Sequence, residues 1–386
     1  MTMLEQFSSE ELDDVLAETR RRGKRRLARR RALAGAAGLL LAAAVAVPAL
    51  WVAGSSSRDQ VRAIGPSARA TSTTTPGAEA SRTPTQIVAV EANGSRIAVI
   101  SAANGKTVRV LAATRAGDPT LAVTPDGSEV YFTNVRQPAQ GECSSLARGE
   151  VNEVARVSIL GGIVTVVGPG RYPAVSPNGR VLAYSRNATN PCAGNDDELV
   201  VVDLKSGARR TFTFRGATSL VDLEYLSWAP DSVHIAFNQY SAESPTSPKV
   251  IDTASARTLN DAVPIPHAAN SDWAGFLGTT GAGIGVTPHN GSNANPATIV
   301  RLDGATGAVT RTLFTLPGGL AVSNVGDGPE DTLHADRSGR DVLAIGLRPV
   351  DAPIRHGALY RWHAGDRRPT LVADQIWAAA WIEPNQ

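Results

Sequence analysis

The sequence of 386 residues predicts an all-β domain of repeated four-stranded units, preceded by an apolar segment long enough to cross a membrane. Three observations predict this organisation. A Pro-Asp-Gly type of turn recurs after short apolar strands, a second turn recurs between its copies, and residues 32–53 contain no charged residue. Charged residues make up 19% of the chain, and it has 36 glycines and 24 prolines. This composition excludes a disordered, collagen-like or coiled-coil protein.

The first turn follows a short apolar strand and precedes another β-run. Its clearest copies are Pro125-Asp126-Gly127, Pro177-Asn178-Gly179 and Pro230-Asp231-Ser232. Proline presets φ at the first corner, Asp or Asn bonds its own backbone, and glycine adopts positive φ. The last residues of these copies are 52 and 53 residues apart. Degenerate copies near Gly281 and Gly339, and at the C-terminal Pro384-Asn385, continue the period.

A second turn lies inside each repeat, between two further β-runs. Its six copies cover residues 101–105, 158–162, 203–207, 252–256, 303–307 and 362–366. Two turns of this kind in each period of about 50 residues predict four strands per repeat.

These motifs resemble the WD40-like, TolB-type β-propeller repeat, and residues 118–134 are similar to the repeat of YVTN-type propellers. The resemblance covers about residues 85–386 and implies a six-bladed β-propeller. Seven blades remain an alternative, because residues 275–286 lack the Pro-Asp pair. The first repeat holds only three strands, and residues 376–382 supply a fourth. We therefore expect the N- and C-terminal strands to share one blade, which removes exposed sheet edges.

The N-terminal region predicts a membrane anchor. Residues 32–53 are Ala, Leu, Val and Gly, interrupted only by Pro48 and Trp51. As a helix rising about 1.5 Å per residue, they span a hydrocarbon core of about 30 Å. Nine Lys and Arg between residues 20 and 31 predict that the N-terminus stays inside. A cleaved signal peptide, giving a secreted protein, is the alternative.

The flanking segments complete this arrangement. Residues 1–31 form a charged cytoplasmic stem, expected to be helical because its acids precede its bases. Residues 54–86 form a tether of Ser, Thr, Pro and Ala, predicted to be disordered. Residues 87–386 then form the extracytoplasmic propeller. The chain has 34 arginines and 4 lysines, which favours a bacterial source and hence a bacterial cytoplasmic membrane.

Charge and motifs limit the partners. The stem has nine bases and six acids, and the rest of the chain has 29 bases and 30 acids. The large domain is therefore nearly neutral, which argues against a nucleic-acid partner. The sequence contains no Walker loop and no Gly-x-Ser-x-Gly motif, and its six histidines include no i,i+4 pair. We therefore assign no cofactor, no metal site and no catalytic residue.

Cys143 and Cys192 are the only cysteines, which excludes a disulfide-dense scaffold. Each falls in the predicted loop between the second and third strands of neighbouring blades. In an exported domain, two such cysteines are expected to form a disulfide. It would close a 49-residue interval and contribute about 4 kcal/mol. Two free thiols would instead indicate a cytoplasmic domain.

The candidate binding site is the axial mouth of the ring, where loops enter the innermost strands. Polar and aromatic residues at these positions suit a small polar ligand or a peptide end. They are Asp118, Arg171, Tyr172, Glu224, Tyr225, Asp272, Trp273 and Trp377. Packing between blades is the alternative explanation, above all for the two tryptophans.

The sequence thus favours a membrane-anchored module that binds, senses or scaffolds a protein or small ligand outside the membrane. One alternative is a propeller-fold enzyme, because the resemblance extends to lactonases and peptidase-associated domains. Another is a transmembrane regulator whose residues 1–31 bind a cytoplasmic regulatory protein. In the anchored versions, residues 32–53 contact the lipid bilayer.

Overall fold

The computed structural model describes the chain from residue 84 to residue 383, with gaps. The described residues are 84–91, 95–113, 120–139, 142, 151–187, 197–215, 221–241, 244–266, 272–287, 297–317, 333–347 and 357–383. The predicted stem, membrane segment and tether up to residue 83 lie outside this set, as do Cys143 and Cys192. Within the set, no helix is long and apolar enough to cross a membrane.

The described residues form 24 strands and a 3-10 turn at Leu259–Asp261. In chain order the strands are β1 Gln86–Glu91, β2 Arg96–Ser101, β3 Thr107–Ala113, β4 Leu121–Val123, β5 Glu129–Arg136, β6 Val151–Ser158, β7 Thr165–Pro169, β8 Arg171–Val175, β9 Val181–Arg186, β10 Glu198–Asp203, β11 Arg209–Thr213, β12 Val221–Trp228, β13 His234–Ser241, β14 Ser244–Asp252, β15 Val263–Pro264, β16 Asp272–Phe276, β17 Gly283–Thr287, β18 Thr298–Leu302, β19 Val309–Thr315, β20 Leu333–Ala335, β21 Asp341–Leu347, β22 Gly357–His363, β23 Thr370–Asp374 and β24 Ile376–Ile382.

These strands form six antiparallel four-stranded sheets, the blades of a β-propeller. From the axis outwards, the blades are β24-β1-β2-β3, then β4 to β7, β8 to β11, β12 to β15, β16 to β19 and β20 to β23. The predicted count of six blades is confirmed. Residues 275–286 form part of blade 5 although they lack the Pro-Asp pair.

Blade 1 closes the ring by combining both ends of the chain, as predicted. The innermost strand β24 pairs antiparallel with β1, with Gln86 opposite Ile382 and Val88 opposite Ala380. β24 also contacts the inner strands β20 and β4 of the two neighbouring blades. All six inner strands therefore form a closed circle around the axis, and β1 is not left as an unpaired edge.

Both predicted turns lie on one side of the ring, because successive strands of a blade are antiparallel. We call this side the turn face and the opposite side the loop face. In the first turn of blade 2, the Thr124 hydroxyl donates to the Asp126 carboxylate at 2.6 Å, and the Ser128 N–H donates to it at 3.0 Å. These bonds hold the pKa of Asp126 below its usual value. Gly127 adopts a φ of 67° there.

The second turn is stabilised in the same way. In blade 3, Asp203 Oδ1 accepts hydrogen bonds from the N–H and the hydroxyl of Ser206, at 2.7 and 2.8 Å. In blade 5, Asp303 accepts the equivalent pair from Thr306, both at 2.8 Å. The bonds from the backbone and hydroxyl of Ser206 lower the pKa of Asp203. An Asp followed by Ser or Thr three positions later therefore specifies the turn.

The core consists of apolar layers between adjacent blades, because each central strand is covered on both faces. Between blades 3 and 4, Leu199, Phe212 and Phe237 are completely buried in one cluster. Across the seam between blades 6 and 1, Trp381 packs with Leu343 and its neighbours. This packing fixes the positions of the inner strands, and these strands form the candidate site.

Candidate functional site

A cavity of about 220 Å³ lies on the axis of the ring, between the inner strands and the turn face. All six inner strands border it. Representative lining residues, one from each strand, are Val123, Val175, Ser227, Trp273, His334 and Trp381. Polar and apolar groups alternate around this wall, as in sites that bind small organic ligands.

Two tyrosines with unusual backbone conformations lie on the axial side of blades 3 and 4. Tyr172 has a φ of 54° and Tyr225 a φ of 55°. Each lies at a register shift in its inner strand, where the strand contains one extra residue relative to its partner. Left-handed φ is rare for bulky side chains, and bulges redirect side chains near functional sites. The two rings are 6.2 Å apart at an angle of 44°, and Tyr225 borders the cavity.

A buried ion pair supports these tyrosines. Arg171 Nη2 lies 3.3 Å from Asp222 Oδ1, with side-chain exposures of 6% and 15%. The guanidinium carbon of Arg171 also lies 5.2 Å from the centre of the Tyr172 ring. Because charges of this kind are stable in the interior only when paired, the ion pair connects blade 3 to blade 4 beside the two rings.

The inner strand of blade 5 also contains a register shift, and its glycine shows why a small residue is needed there. Gly275 has a φ of 150° at the register shift of β16. A Cβ atom at this position would lie 2.9 Å from the Ser227 hydroxyl oxygen. That hydroxyl accepts a 3.0 Å hydrogen bond from the Phe276 N–H. The bulge therefore positions Ser227 in the cavity wall while its oxygen joins blade 4 to blade 5.

Trp273 provides a buried donor at the cavity. The residue is 2% exposed, and its ring makes an edge contact with Phe276 at 5.5 Å between centroids. Within the described part of the chain, its indole Nε1 has no hydrogen-bond partner. The side-chain Oδ1 of Asn238, whose Nδ2 donates to the Trp273 carbonyl, is also unpaired there. Buried polar groups of native proteins are almost always paired, so these two atoms are exceptions within the wall behind the cavity.

Burial shifts the pKa of two ionisable residues at the turn-face end in the direction that favours the uncharged form. Desolvation lowers the pKa of His334 to about 4, although the charge of Asp336 opposes the shift. The Trp381 N–H donates to His334 Nδ1 at 3.4 Å, so in the neutral ring Nε2 carries the proton. Burial raises the pKa of Glu383, whose Oε1 accepts a 2.6 Å hydrogen bond from the Arg337 N–H. Perturbed groups of this kind cluster at functional sites.

The structure distributes the eight predicted residues over several environments. Tyr225 and Trp273 border the cavity. Arg171 and Tyr172 begin β8, and Glu224 lies within β12, opposite Asn238. Asp118 lies outside the described residues, as does the side chain of Asp272. Binding by the eight residues as a set stays a prediction.

Trp377 illustrates the packing alternative. It lies at the register shift of β24 and packs against the apolar cluster between blades 1 and 2, which contains Val88 and Val99. Its indole nitrogen has no partner among the described residues.

Sequence reasoning missed five polar residues of the cavity wall: Ser227, Thr279, His334, Arg337 and Glu383. A signal was present, because each lies within the last few residues of an inner strand or in the first turn that follows. Aligning the repeats on these positions would have found them. Within the described part of the chain, no group of three or more His, Cys, Asp or Glu is placed to bind a metal ion.

The sequence matches no family model and no curated protein. Several solved structures are similar in fold. A candidate TolB from Agrobacterium tumefaciens is 14% identical over 75% of this chain and 89% of that one, with a TM-score of 0.44. The propeller domain of the Trilobed protease from Pyrococcus furiosus is 14% identical over 66% of this chain and 70% of that one, with a TM-score of 0.38. An oligogalacturonate lyase in complex with manganese is 11% identical over 70% of this chain and 72% of that one, with a TM-score of 0.42.

The six-bladed propeller architecture agrees with the propeller resemblance identified from the repeats. At these identities the likeness concerns the fold alone. The ligand and the role of this protein therefore depend on the residues of its own site.

Proposed function

We propose that this chain is a membrane-anchored, extracytoplasmic propeller that binds a small ligand or a short segment of a partner protein in its axial cavity. The observation that carries the proposal is the cavity itself, which is bordered by all six inner strands and lined by Tyr225, Ser227, Trp273 and His334.

The cavity chemistry suits a neutral or weakly polar ligand with an apolar body. Trp273 and the aliphatic side chains of the inner strands provide apolar surface. His334 is neutral at pH 7, because burial lowers its pKa to about 4, and it therefore offers hydrogen bonding without charge. A volume of about 220 Å³ is below the usual 300–1,000 Å³ range of drug-sized sites. A small molecule, or one or two side chains of a peptide, would fit.

The left-handed tyrosines support binding as a role. Each costs on the order of 1–2 kcal/mol in backbone strain. Such strain persists where the surrounding structure requires it, and it is concentrated at ligand clamps and active sites. The buried pair of Arg171 with Asp222 holds the two bulges in place beside the cavity.

Placement outside the membrane follows from the sequence. Residues 32–53 provide the anchor, and the basic cluster at residues 20–31 keeps the N-terminus inside. Residues 1–31 would then be available to a cytoplasmic regulator. A Cys143–Cys192 disulfide is expected in an oxidising compartment. Secretion after signal cleavage is the alternative placement.

A photo-crosslinking residue in place of Tyr225 tests the binding role in cells. A matched control carries the same residue in place of Val309, which is 51% exposed on the outermost strand of blade 5. We expect a discrete adduct at position 225 that the control does not form. Combining the probe with Trp273→Phe and His334→Phe should abolish the adduct, since those changes remove polar groups of the wall. Identical adducts at both probe positions, or none at 225, would refute the proposal.

A further inference from the structure

The second turn of blade 2 is apolar, unlike the polar turns of the blades that follow it. Leu160 is 74% exposed and Ile163 is 89% exposed. At the corresponding turn of blade 3, Asp203 and Ser206 bond to each other and to the backbone. Leu160 and Ile163 contribute nothing to the apolar layers inside the ring. Adjacent large apolar side chains held in water are typical of an interaction surface.

The apolar surface continues onto neighbouring strands. A Cβ atom on Gly161 would lie 3.4 Å from the Val110 carbonyl oxygen of β3, so this turn lies against the outermost strand of blade 1. Val110 is 48% exposed there, and Val166 on β7 is 52% exposed. We call Val110, Leu160, Ile163 and Val166 the rim patch. It lies at the outer edge of the turn face.

Basic side chains lie in the second turns of blades 1 and 3 and beside β7. Lys106 follows the second turn of blade 1, and Lys205 lies in that of blade 3; both are exposed. Arg209 donates from Nη2 to the Val167 carbonyl at 2.7 Å, which places its guanidinium beside β7. The carboxylate of Asp203 lies in the same turn as Lys205 and offsets its charge in part. Among these four groups positive charge is therefore in excess.

The chain reaches the propeller next to this patch. The Ala102 N–H donates to the Thr85 carbonyl at 2.9 Å, and Gln86 pairs with Ser101. The tether of residues 54–86 thus joins the ring at the turn face, at the blade beside the patch. A chain of this length, if disordered as its Ser-, Thr-, Pro- and Ala-rich composition predicts, would have a root-mean-square span of about 30 Å. Such a tether gives an effective concentration on the order of millimolar, so even a weak contact is populated.

We propose that the rim patch is a second membrane contact. Leu160 and Ile163 enter the interfacial region of the bilayer that holds residues 32–53, while Lys106, Lys205 and Arg209 contact anionic lipid phosphates. This inference rests on the membrane anchoring stated under the proposed function. Because the patch lies at the outer edge and not on the axis, the contact leaves the axial cavity open to solvent.

The test uses the full chain in phosphatidylglycerol/phosphatidylcholine vesicles, with a photo-crosslinking residue in place of Ile163. The matched control places it at Ala139, which is exposed on the loop face of the same blade. We expect a lipid adduct at 163 about fivefold or more above that at 139. The yield should fall about threefold or more with Leu160→Ser, with Lys106→Gln plus Lys205→Gln, or in phosphatidylcholine alone.

Flotation after a carbonate wash, measured on the same samples, separates the two proposals. A chain that floats but gives equal lipid yields at 163 and 139 overturns the patch and leaves the anchor standing. A chain that does not float overturns the anchor, and the patch with it. A protein–protein adduct at 163 instead of a lipid adduct would assign the patch to a second copy and overturn the lipid contact.

Discussion

Trp381 makes several of the contacts that join blade 6 to blade 1, so replacing it tests how the ring is closed. Trp381 is 1% exposed in the cluster that contains Leu343 and Leu359. Its indole N–H donates to the Asp341 carbonyl at 3.2 Å. The guanidinium carbon of Arg361 lies 5.6 Å from the ring centre. One residue of the last strand therefore holds apolar, hydrogen-bonding and cation–π contacts to the preceding blade.

These contacts set the loss of unfolding free energy that is expected when Trp381 is replaced. Truncating a buried tryptophan to alanine costs about 4 kcal/mol through lost burial and the cavity it leaves. Loss of the hydrogen bond adds about 1 kcal/mol. The sum of about 5 kcal/mol is comparable to the whole unfolding free energy of many domains. Trp381→Phe retains most of the ring but loses the donor, so it should cost about 2 kcal/mol.

Urea unfolding of the full chain in detergent, followed by far-ultraviolet circular dichroism, measures these values. The matched control is Trp377→Phe in the same strand. Trp377 has an indole nitrogen without a partner among the described residues, so removing it should cost less than about 1 kcal/mol. The reasoning fails if Trp381→Ala costs less than about 2 kcal/mol, or if Trp377→Phe is the more damaging of the two phenylalanine variants.

Three further predictions concern the backbone, the ion pair and pH. Gln375 is exposed and has a φ of 63°, a conformation that glycine adopts without strain. Gln375→Gly should therefore stabilise the folded protein by about 0.5–1 kcal/mol. The control Asp374→Gly should destabilise the folded protein in the same thermal melt. Arg171→Ala should lower the free energy of unfolding by about 3 kcal/mol, because Asp222 loses this partner in a largely buried position. A double-mutant cycle with Asp222→Ala that shows no coupling energy between the two residues would contradict this. Since burial lowers the folded pKa of His334 to about 4 from 6.5, the unfolded state binds the extra proton between those values, and stability falls as pH drops through that window. His334→Gln should remove up to about 3 kcal/mol of this dependence, and an unchanged pH profile would show that His334 titrates normally.

The features that could be predicted from the sequence are those set by residues close together in the chain, such as the turns. Asp203 and Ser206 specify their turn within four residues, so the pattern is visible without any tertiary information. Residues 376–382 could be assigned as the missing strand because the first repeat had only three strands, and the structure has β24 at Ile376–Ile382.

Other features depend on contacts that no local pattern encodes. Tyr172 and Tyr225 are not turn residues, and only the bulges imposed by neighbouring blades place them in left-handed conformations. His334 reaches the Trp381 N–H because ring closure brings residues from β20 and β24 together. A repeat-based prediction can therefore identify the positions that line the cavity, whereas contacts between distant repeats, such as that of His334 with Trp381, become apparent only in the closed ring.

The position of β24 has a consequence for how the protein is made. Gln86 pairs with Ile382, about 300 residues later in the chain, so the first strand cannot acquire its inner partner until β24 has been synthesised. Non-local pairing of this kind slows folding. Until then β1 presents an unpaired, apolar edge that can recruit another chain. Termination of synthesis before β24 should therefore yield aggregates rather than a slightly shorter propeller, and a nascent chain should depend on chaperones until β24 emerges.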